Sequence, residues 1–184
     1  KVQHKKRYIE SFYLDDFFLT SYRDAIEGNS KRSKFRFRWY SKDFEKVRPN
    51  LEIKYKENDI GFKKVFKLMD VKKSFLLKRK NYCKYVRDSI LSKYYKNLLL
   101  SLYPSAQVSY TREYFKSDIL DLRLTIDYGI SYKLLRTNSN SKIRRKPSLE
   151  RIILELKYPI YASDQLDEFA FDLPFRLSKS SKYV

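Results

Sequence analysis

Two short segments of this chain alternate strictly between charged and apolar side chains. In Lys34–Trp39 every even position carries a cation and every odd position an aromatic ring. Leu51–Lys56 repeats the alternation, with one carboxylate and two lysines at its even positions. A repeat of two residues is the period of a β-strand, whose successive side chains point to opposite faces. Each segment is therefore predicted to be a strand with one charged and one apolar face.

A charged strand face has two interpretations. It is a solvated surface in an ordinary half-exposed sheet, or it is a wall that binds a charged ligand. The Arg-x-Arg spacing of Arg36 and Arg38 favours the second interpretation. A guanidinium group donates paired hydrogen bonds to two phosphate oxygens and stays charged at any working pH.

Two later segments repeat the alternation. Asp121–Asp127 has polar residues at every odd position, and Leu154–Tyr158 repeats the Glu-x-Lys spacing of Glu52 and Lys54. A sheet that closes with these charged faces inward forms a barrel with a polar lumen. Like charges about 4 Å apart repel by roughly 1 to 4 kcal/mol, so the cations need anions inside. Luminal carboxylates supply some of them, and a bound polyphosphate would supply the rest.

The pattern changes to that of helices between these strands. From Val71 to Tyr103 apolar residues recur at spacings of three and four until Pro104 ends the run, which predicts helices that pack on the sheet. The predicted fold class is α+β, an antiparallel β-barrel with helices packed outside. Further strands are expected over Tyr8–Asp16, 62–68, Val108–Phe115 and Tyr128–Leu134, with a mobile basic loop over Arg136–Glu150 and a helix that begins at Ser163 and ends before Pro174.

Charge and rare residues limit the chemistry. Lys and Arg number 41 against 22 Asp and Glu, so the formal charge is +19. This favours a polyanionic partner, which is nucleic acid, an anionic membrane surface or a phosphate compound. A single histidine, His4, and a single cysteine, Cys83, exclude an internal disulfide and a His/Cys zinc site and disfavour a histidine-activated nucleophile. Any catalysis is therefore expected from carboxylates, cations and a metal.

The sequence also bears on localisation. No apolar run approaches the roughly 18 to 20 residues that cross a bilayer, and the N-terminus is charged where a signal peptide would be apolar. We expect one soluble domain over residues 1–184 without a transmembrane segment. Its expected compartment is the cytoplasm, including the inner face of a membrane if other parts of a longer protein hold it there. The sequence does not indicate an oligomeric state.

Short motifs along nearly the whole chain carry a family resemblance. In chain order they are Ser11–Asp15, Tyr22–Arg23, Phe35–Tyr40, Leu51–Lys54, Tyr110–Arg112, Leu122–Asp127, Leu154–Tyr158 and Ser178–Val184. Each is weak alone, but their common order is a specific signal. With these motifs the chain resembles the polyphosphate polymerase domain of the vacuolar transporter chaperone (VTC) type, within the CYTH-like triphosphate tunnel metalloenzymes.

The resemblance implies a β-tunnel in which the terminal phosphate of ATP is added to an inorganic polyphosphate chain with a divalent metal, Mn²⁺ or Mg²⁺. By motif position it implies phosphate binding and catalysis by Arg36, Arg38, Lys54, Arg112, Arg123 and Lys182. Additional phosphate contacts are expected from Lys56, Lys157, Lys179 and Ser181. Glu155 matches the metal-binding glutamate of the family, and Glu52 is a second oxygen donor.

Both ends of the chain bear on this assignment. Of the two Ser-Lys pairs, Ser178–Lys179 and Ser181–Lys182, the second is favoured because Tyr183–Val184 follows it as in the family. The first tunnel strand of the family has no counterpart here. We therefore expect that strand and a catalytic lysine to precede Lys1, and without them the tunnel has an open edge.

Three alternatives stay open at the level of sequence. A triphosphatase would use the same tunnel with water as the phosphate acceptor, and a degenerate domain would bind without catalysis. The Arg-Trp-Tyr run ending at Tyr40 and the Ser-Lys pair resemble the VTC branch more than the triphosphatase branch. A nucleic-acid-binding module is disfavoured, because such modules place stacking rings on the same face as the cations. Here Phe35 and Phe37 alternate with Arg36 and Arg38 and belong to the opposite face.

Overall fold

The alternating segments form strands of one antiparallel sheet in the computed structural model, which describes residues 1–42, 45–58, 60–117, 121–135, 151–159, 161 and 180–184. The elements are, in chain order, β1 (Val2–Asp15), α1 (Thr20–Glu27), β2 (Lys31–Trp39), β3 (Lys46–Val47), β4 (Asn50–Glu57), β5 (Ile60–Lys67), β6 (Val71–Lys72), α2 (Lys73–Leu77), α3 (Arg79–Asp88), α4 (Lys93–Leu100), β7 (Tyr103–Lys116), β8 (Arg123–Leu134) and β9 (Ile153–Lys157).

Seven strands form the main sheet in the order β5-β4-β2-β1-β7-β8-β9, and β3 pairs with β6 in a small second sheet. The main sheet curls through 207°, as the twist and tilt of neighbouring strands require. The antiparallel α+β prediction is therefore confirmed. The described strands build a curled half-barrel, whose edges are β5 and β9, and the closed tunnel predicted from the sequence is not seen in them. The strand expected before Lys1 concerns chain outside this sequence and stays a prediction.

The apolar faces of the strands form the core under the helices. Phe12, Phe37, Leu51 and Ile53 are fully buried on this convex side of the sheet. Full burial of one such side chain contributes roughly 1.5 to 3 kcal/mol. The remaining wall of the core comes from the helices, with Leu76, Tyr82, Val86 and Leu99. The strand alternation thus decides which face of the sheet the helices cover.

The helical stretch predicted over residues 71–103 consists of three short helices, α2 to α4. Lys78 is extended, with φ −93° and ψ 118°, and separates α2 from α3. The hydroxyl of Tyr82 donates to the carbonyl of Leu99 at 2.8 Å, which ties α3 to α4. None of the helices in the described part of the chain is long and apolar enough to span a membrane.

Several element boundaries differ from the sequence prediction. β1 begins at Val2, ahead of the predicted Tyr8, and β8 is one strand across both segments predicted there, with Gly129 at φ +60° beside a register shift. The less regular segment after β1 contains helix α1. The first backbone N–H groups of α1 donate hydrogen bonds to the carboxylates of Asp15 and Asp16, which form the acidic turn before the helix. The predicted loop over Arg136–Glu150 and the helix predicted from Ser163 lie outside the described residues.

Candidate functional site

The charged residues of the alternating segments share the concave face of the half-barrel, away from the helices. Residues directly opposite each other in an antiparallel pair point to the same side of a sheet. The strand register places Arg36 between Tyr13 of β1 and Glu52 of β4. It also places Arg112 of β7 opposite Asp127 of β8. The alternating patterns of separate strands therefore build one continuous polar surface.

Glu52 is the centre of a first cluster on this face. Its Oε2 accepts hydrogen bonds from Nε and Nη2 of Arg36, at 2.9 and 2.6 Å. Its Oε1 lies 3.2 Å from Nζ of Lys63 and 3.6 Å from Nη1 of Arg38. Burial alone would raise the pKa of Glu52, but Arg36 and Arg38 outweigh it and lower the pKa to about 2. Glu52 is therefore an ionised carboxylate enclosed by three cations.

Two tyrosines hold the arginines of this cluster in place. Arg36 Nη1 donates to the hydroxyl of Tyr13 at 3.0 Å, and Arg38 Nη2 donates to the hydroxyl of Tyr110 at 3.1 Å. Burial raises the pKa of Tyr110 to about 12, so its hydroxyl stays protonated at neutral pH. Both guanidinium planes are thereby fixed. Sequence reasoning did not assign these tyrosines to the site, although Tyr13 and Tyr110 lie within the motifs that carry the resemblance.

Asp127 is the centre of a second cluster. It is fully buried and accepts two hydrogen bonds from Arg112, from Nε at 2.5 Å and from Nη2 at 2.7 Å. Lys182 Nζ lies 2.5 Å from its Oδ2. Burial would raise the pKa of Asp127, but bonding to Arg112 and Lys182 outweighs it and lowers the pKa. Asp127 was not among the predicted site residues, although its alternating segment had placed it on the polar face.

The last residues of the chain enter the concave face. Ser181 Oγ accepts a hydrogen bond from Lys34 Nζ at 2.9 Å, and Lys182 contacts Asp127. The ring of Tyr183 stacks on Tyr13, with centroids 4.8 Å apart and planes at 12°. Of the two predicted pairs, Ser181–Lys182 thus lies on this face, whereas Ser178–Lys179 lies outside the described residues. Lys34 could have been found from the sequence, since it is the first even position of its alternating segment.

The curl of the sheet brings β4 and β9 near each other across the concave face. The pKa of Lys54 is lowered to about 8 by desolvation and by the positive charges of Arg36, Lys157 and Lys63. The negative charge of Glu155 partly offsets this by raising the pKa. β4 and β9 are separated in the sheet by four strands, so only curvature explains this proximity. Within the described part of the chain, no carboxylate lies within ion-pair distance of Lys54.

The other predicted phosphate ligands lie further along the same face. Arg123 is exposed and stands opposite Lys157 in the β8–β9 register. Lys157 Nζ is 3.5 Å from Oε1 of Glu155, and Lys56 follows Lys54 on β4 at the next position of the same face. Cations outnumber carboxylates around the centre of the face. Among the residues that the structure describes, three carboxylates, Glu52, Asp127 and Glu155, are surrounded there by nine cations, Lys34, Arg36, Arg38, Lys54, Lys63, Arg112, Arg123, Lys157 and Lys182.

Glu155 and its neighbour Thr125 are the described residues that best fit a divalent metal. No group of three or more His, Cys, Asp or Glu side chains suited to a metal occurs among the described residues. Glu155 keeps 39% of its side-chain surface exposed, and its nearest cationic contact is Arg112 Nη2 at 3.3 Å. The hydroxyl of Thr125, its register partner, is buried and has no hydrogen-bond partner among the described residues. Mg²⁺ usually takes one or two carboxylates and completes its shell with water and substrate phosphates. Glu155 and Thr125 suit that arrangement better than the enclosed Glu52 does.

Comparison with protein families gives a match that spans the chain. The family model described as VTC domain matches residues 1–184. The resemblance inferred from the ordered motifs is therefore confirmed. Comparison with curated proteins gave no match.

Proposed function

This chain belongs to the VTC domain family, which is associated with polyphosphate polymerases, and we propose that it transfers the terminal phosphate of ATP to an inorganic polyphosphate chain. The observation that carries the proposal is the excess of cations around the centre of the concave face, nine against three carboxylates among the described residues. Such an excess is costly unless an anion occupies the face. A linear polyphosphate has one negative charge or more on each unit, so it suits a groove that is lined with cations along its length.

The arginines of the first cluster have the properties that phosphoryl transfer needs. The reaction depends on positioning and on neutralising charge over the phosphate oxygens, with little covalent help from the protein. Arg36 and Arg38 are held by Glu52, Tyr13 and Tyr110, so they lose little conformational entropy when a phosphate binds. Lys54 adds a positive charge with no carboxylate within ion-pair distance in the described part of the chain, although the charge of Glu155 reaches it.

The opposite side of the groove supports the transferring phosphate. Arg112 and Lys182 share Asp127 and face the groove beside Glu155. We assign Glu155, with the hydroxyl of Thr125 beside it, to the divalent ion. When bound, such an ion would offset the negative charge of the phosphate oxygens. The phosphate acceptor in this proposal is the end of the polyphosphate chain, whereas a triphosphatase would use water there.

A binding experiment tests the phosphate assignment. We expect Arg36→Gln combined with Arg38→Gln to weaken tripolyphosphate binding by at least about 100-fold in calorimetry at moderate salt, since two charged hydrogen-bonding groups are lost. The matched control is Lys80→Gln with Arg87→Gln, which removes the same charge from exposed positions of α3. Equal affinity of the two double variants would contradict the assignment.

Product analysis tests the reaction. The protein, within its full-length chain, is incubated with ATP and Mn²⁺ or Mg²⁺, and the products are resolved by size. Long phosphate chains are the expected result. Free orthophosphate as the main product would replace the proposal with a triphosphatase. If neither product forms while phosphate binding is intact, the result would identify a binding domain without catalysis.

A further inference from the structure

A second basic surface belongs to the helices, away from the concave face. Residues 71–97 contain nine lysines and arginines against one acidic residue, Asp88. The carboxylate of Asp88 pairs with Lys84 at 2.9 Å, one helical turn away. Most of the other cations of this stretch are exposed. None of them is among the proposed phosphate ligands, so the concave face does not account for their excess.

Apolar side chains are exposed among these cations at the turn between α3 and α4. Ile90 lies in that turn and is 79% exposed, and Tyr94 in the first turn of α4 is 67% exposed. Arg87 and Lys93, which are also exposed, flank Ile90 three residues away on either side. The ammonium group of Lys96 donates to the carbonyl oxygen of Arg87 at 2.8 Å, which holds the start of α4 against the end of α3. The turn therefore presents an apolar tip between cations.

The outer side of β5 extends this tip. Tyr94 contacts Tyr95 edge to face, with ring centroids 5.1 Å apart, and the hydroxyl of Tyr95 accepts a hydrogen bond from Lys64 of β5 at 2.9 Å. Phe62, exposed on β5, stands opposite Tyr55 in the β4–β5 register. Burial raises the pKa of Tyr55, and the neighbouring Tyr94 and Tyr95 raise it further, so these rings lie close together. We define the outer patch by its exposed members, which are Phe62, Lys64, Arg87, Ile90, Lys93 and Tyr94.

The chemistry of the outer patch matches an anionic lipid surface. Lysine and arginine side chains near a bilayer are attracted to its anionic headgroups, while tyrosine and aliphatic side chains enter the interfacial region. A single-stranded nucleic acid would also use the cations and the ring of Tyr94. An aliphatic side chain such as Ile90 offers no ring on which a base stacks. The combination of positive charge with an exposed aliphatic tip therefore favours lipid.

We propose that the outer patch docks the domain on an anionic lipid surface, with Ile90 and Tyr94 inserted among the headgroups and the flanking cations contacting lipid phosphates. The patch lies on the convex side of the sheet, because Phe62 stands opposite Tyr55, whose ring packs against the core under the helices. The concave face then points away from the bilayer and stays open to its substrates. Docking goes beyond the proposed function and does not depend on it.

Vesicle flotation tests the docking. The protein is mixed with vesicles of phosphatidylcholine, with and without phosphatidylserine. Ile90→Ser combined with Tyr94→Ser is expected to weaken binding to the anionic vesicles at least about tenfold, because two inserted side chains are lost. The matched control is Phe17→Ser with Phe18→Ser, which removes two exposed rings beside the acidic turn before α1. We expect this control to bind like the unmodified protein.

A second pair of variants tests the charge of the patch. Lys64→Gln combined with Lys93→Gln is expected to weaken binding to phosphatidylserine vesicles about tenfold and to change binding to phosphatidylcholine alone very little. Lys5→Gln with Lys6→Gln removes the same charge from exposed positions at the start of β1 and is expected to have a smaller effect.

Fluorescence gives a direct readout of insertion. The emission of Ile90→Trp is expected to shift to shorter wavelength when anionic vesicles are added, because the indole leaves water. Trp39 is buried in the core and is expected to give a constant background. Ile26→Trp, at an exposed position of α1, is the matched control and should show no shift.

Three results would contradict the docking: equal vesicle binding by the patch variants and their controls, no binding of the unmodified protein to anionic vesicles, or no shift in Ile90→Trp. If the patch variants lose binding to a single-stranded oligonucleotide and keep vesicle binding, the patch is a nucleic-acid surface. Tripolyphosphate binding by Ile90→Ser with Tyr94→Ser is expected to be unchanged. Failure of the docking therefore leaves the proposed function standing, and failure of the proposed function leaves the vesicle result valid.

Discussion

At the scale of single residues, Glu52 determines how the arginines of the concave face are held. Its two oxygens contact Arg36, Arg38 and Lys63, and its side chain is 2% exposed. A carboxylate in this position is required to balance buried positive charge when no ligand is bound. Removing this carboxylate leaves the neighbouring buried cations without an anion, and an uncompensated buried charge strongly lowers the free energy of unfolding.

We predict that Glu52→Gln lowers the free energy of unfolding by about 3 kcal/mol at neutral pH, measured by chemical denaturation. The matched control is Glu57→Gln on the same strand, whose exposed pair with Lys31 should contribute less than about 1 kcal/mol. Saturating tripolyphosphate should recover much of the loss, since it replaces the missing negative charge. Equal stability of the two variants would contradict this role of Glu52.

The same carboxylate gives a pH dependence with a defined sign. The pKa of Glu52 is lowered from 4.5 to about 2, so the folded protein keeps this group ionised where the unfolded chain protonates it. Its stabilisation is therefore complete above pH 4.5 and is lost as the pH falls toward 2. The stability difference between the unmodified protein and Glu52→Gln should shrink across that window. A difference that stays constant from pH 5 to pH 2.5 would argue against the assigned ionisation.

At the scale of elements, the terminal segment of residues 180–184 joins the two clusters of the site. Besides stacking on Tyr13, Tyr183 donates from its hydroxyl to Asp15 Oδ2 at 2.5 Å. Asp15 also accepts the N–H groups of Ser21 and Tyr22 at the start of α1. The corner between β1 and α1 thereby anchors the segment that brings Lys182 to Asp127. Tyr183 is a positioning residue in this arrangement.

We predict that Tyr183→Ala weakens tripolyphosphate binding about as much as Lys182→Gln, by roughly tenfold, and that the double variant loses little more. Non-additivity is expected because both changes remove the same ammonium group from the site. Tyr183→Phe keeps the stacked ring but loses the hydroxyl bond to Asp15, so it should retain most of the affinity. Fully additive losses, measured by calorimetry on all four proteins, would show that Tyr183 acts independently of Lys182.

At the scale of the whole molecule, the curvature of the sheet creates the site. Glu155 on β9 and Lys54 on β4 belong to strands near opposite edges, yet each shifts the pKa of the other. A flat sheet of the same strand order would separate them by five interstrand spacings of about 4.8 Å each. Curvature therefore brings the proposed metal ligand to the cations that hold the phosphates.

We predict that Mn²⁺ tightens tripolyphosphate binding by the unmodified protein and that Glu155→Gln reduces this effect at least about tenfold. Binding measured in excess chelator should be unchanged or slightly tighter, because the cations remain and one negative charge is gone. Glu113→Gln is the matched control, since Glu113 lies on β7 with its side chain on the other face. A full metal effect in Glu155→Gln would overturn the assignment of Glu155.

The faces of the sheet follow from the sequence alone. Consecutive side chains of a strand point to opposite sides, so the placement of Arg36 and Arg38 apart from Phe37 is fixed by position in the chain. The structure confirms this division, with Phe37 fully buried beneath the helices and both arginines on the concave face. The ordered motifs likewise identified the family, because they depend only on local spacing.

Partners within the site were decided by the tertiary structure. The pairing of Arg38 with Tyr110 and of Asp127 with Lys182 joins residues far apart in the chain, and such pairs depend on strand register and curvature. Local alternation places a residue on a face but carries no information about what stands opposite it. The sequence likewise predicted Glu52 as a second oxygen donor to a metal, which stays a prediction, but it did not indicate that three cations enclose Glu52 in the folded protein. The degree to which the sheet curls is also a property of all its strands together, and no single segment specifies it.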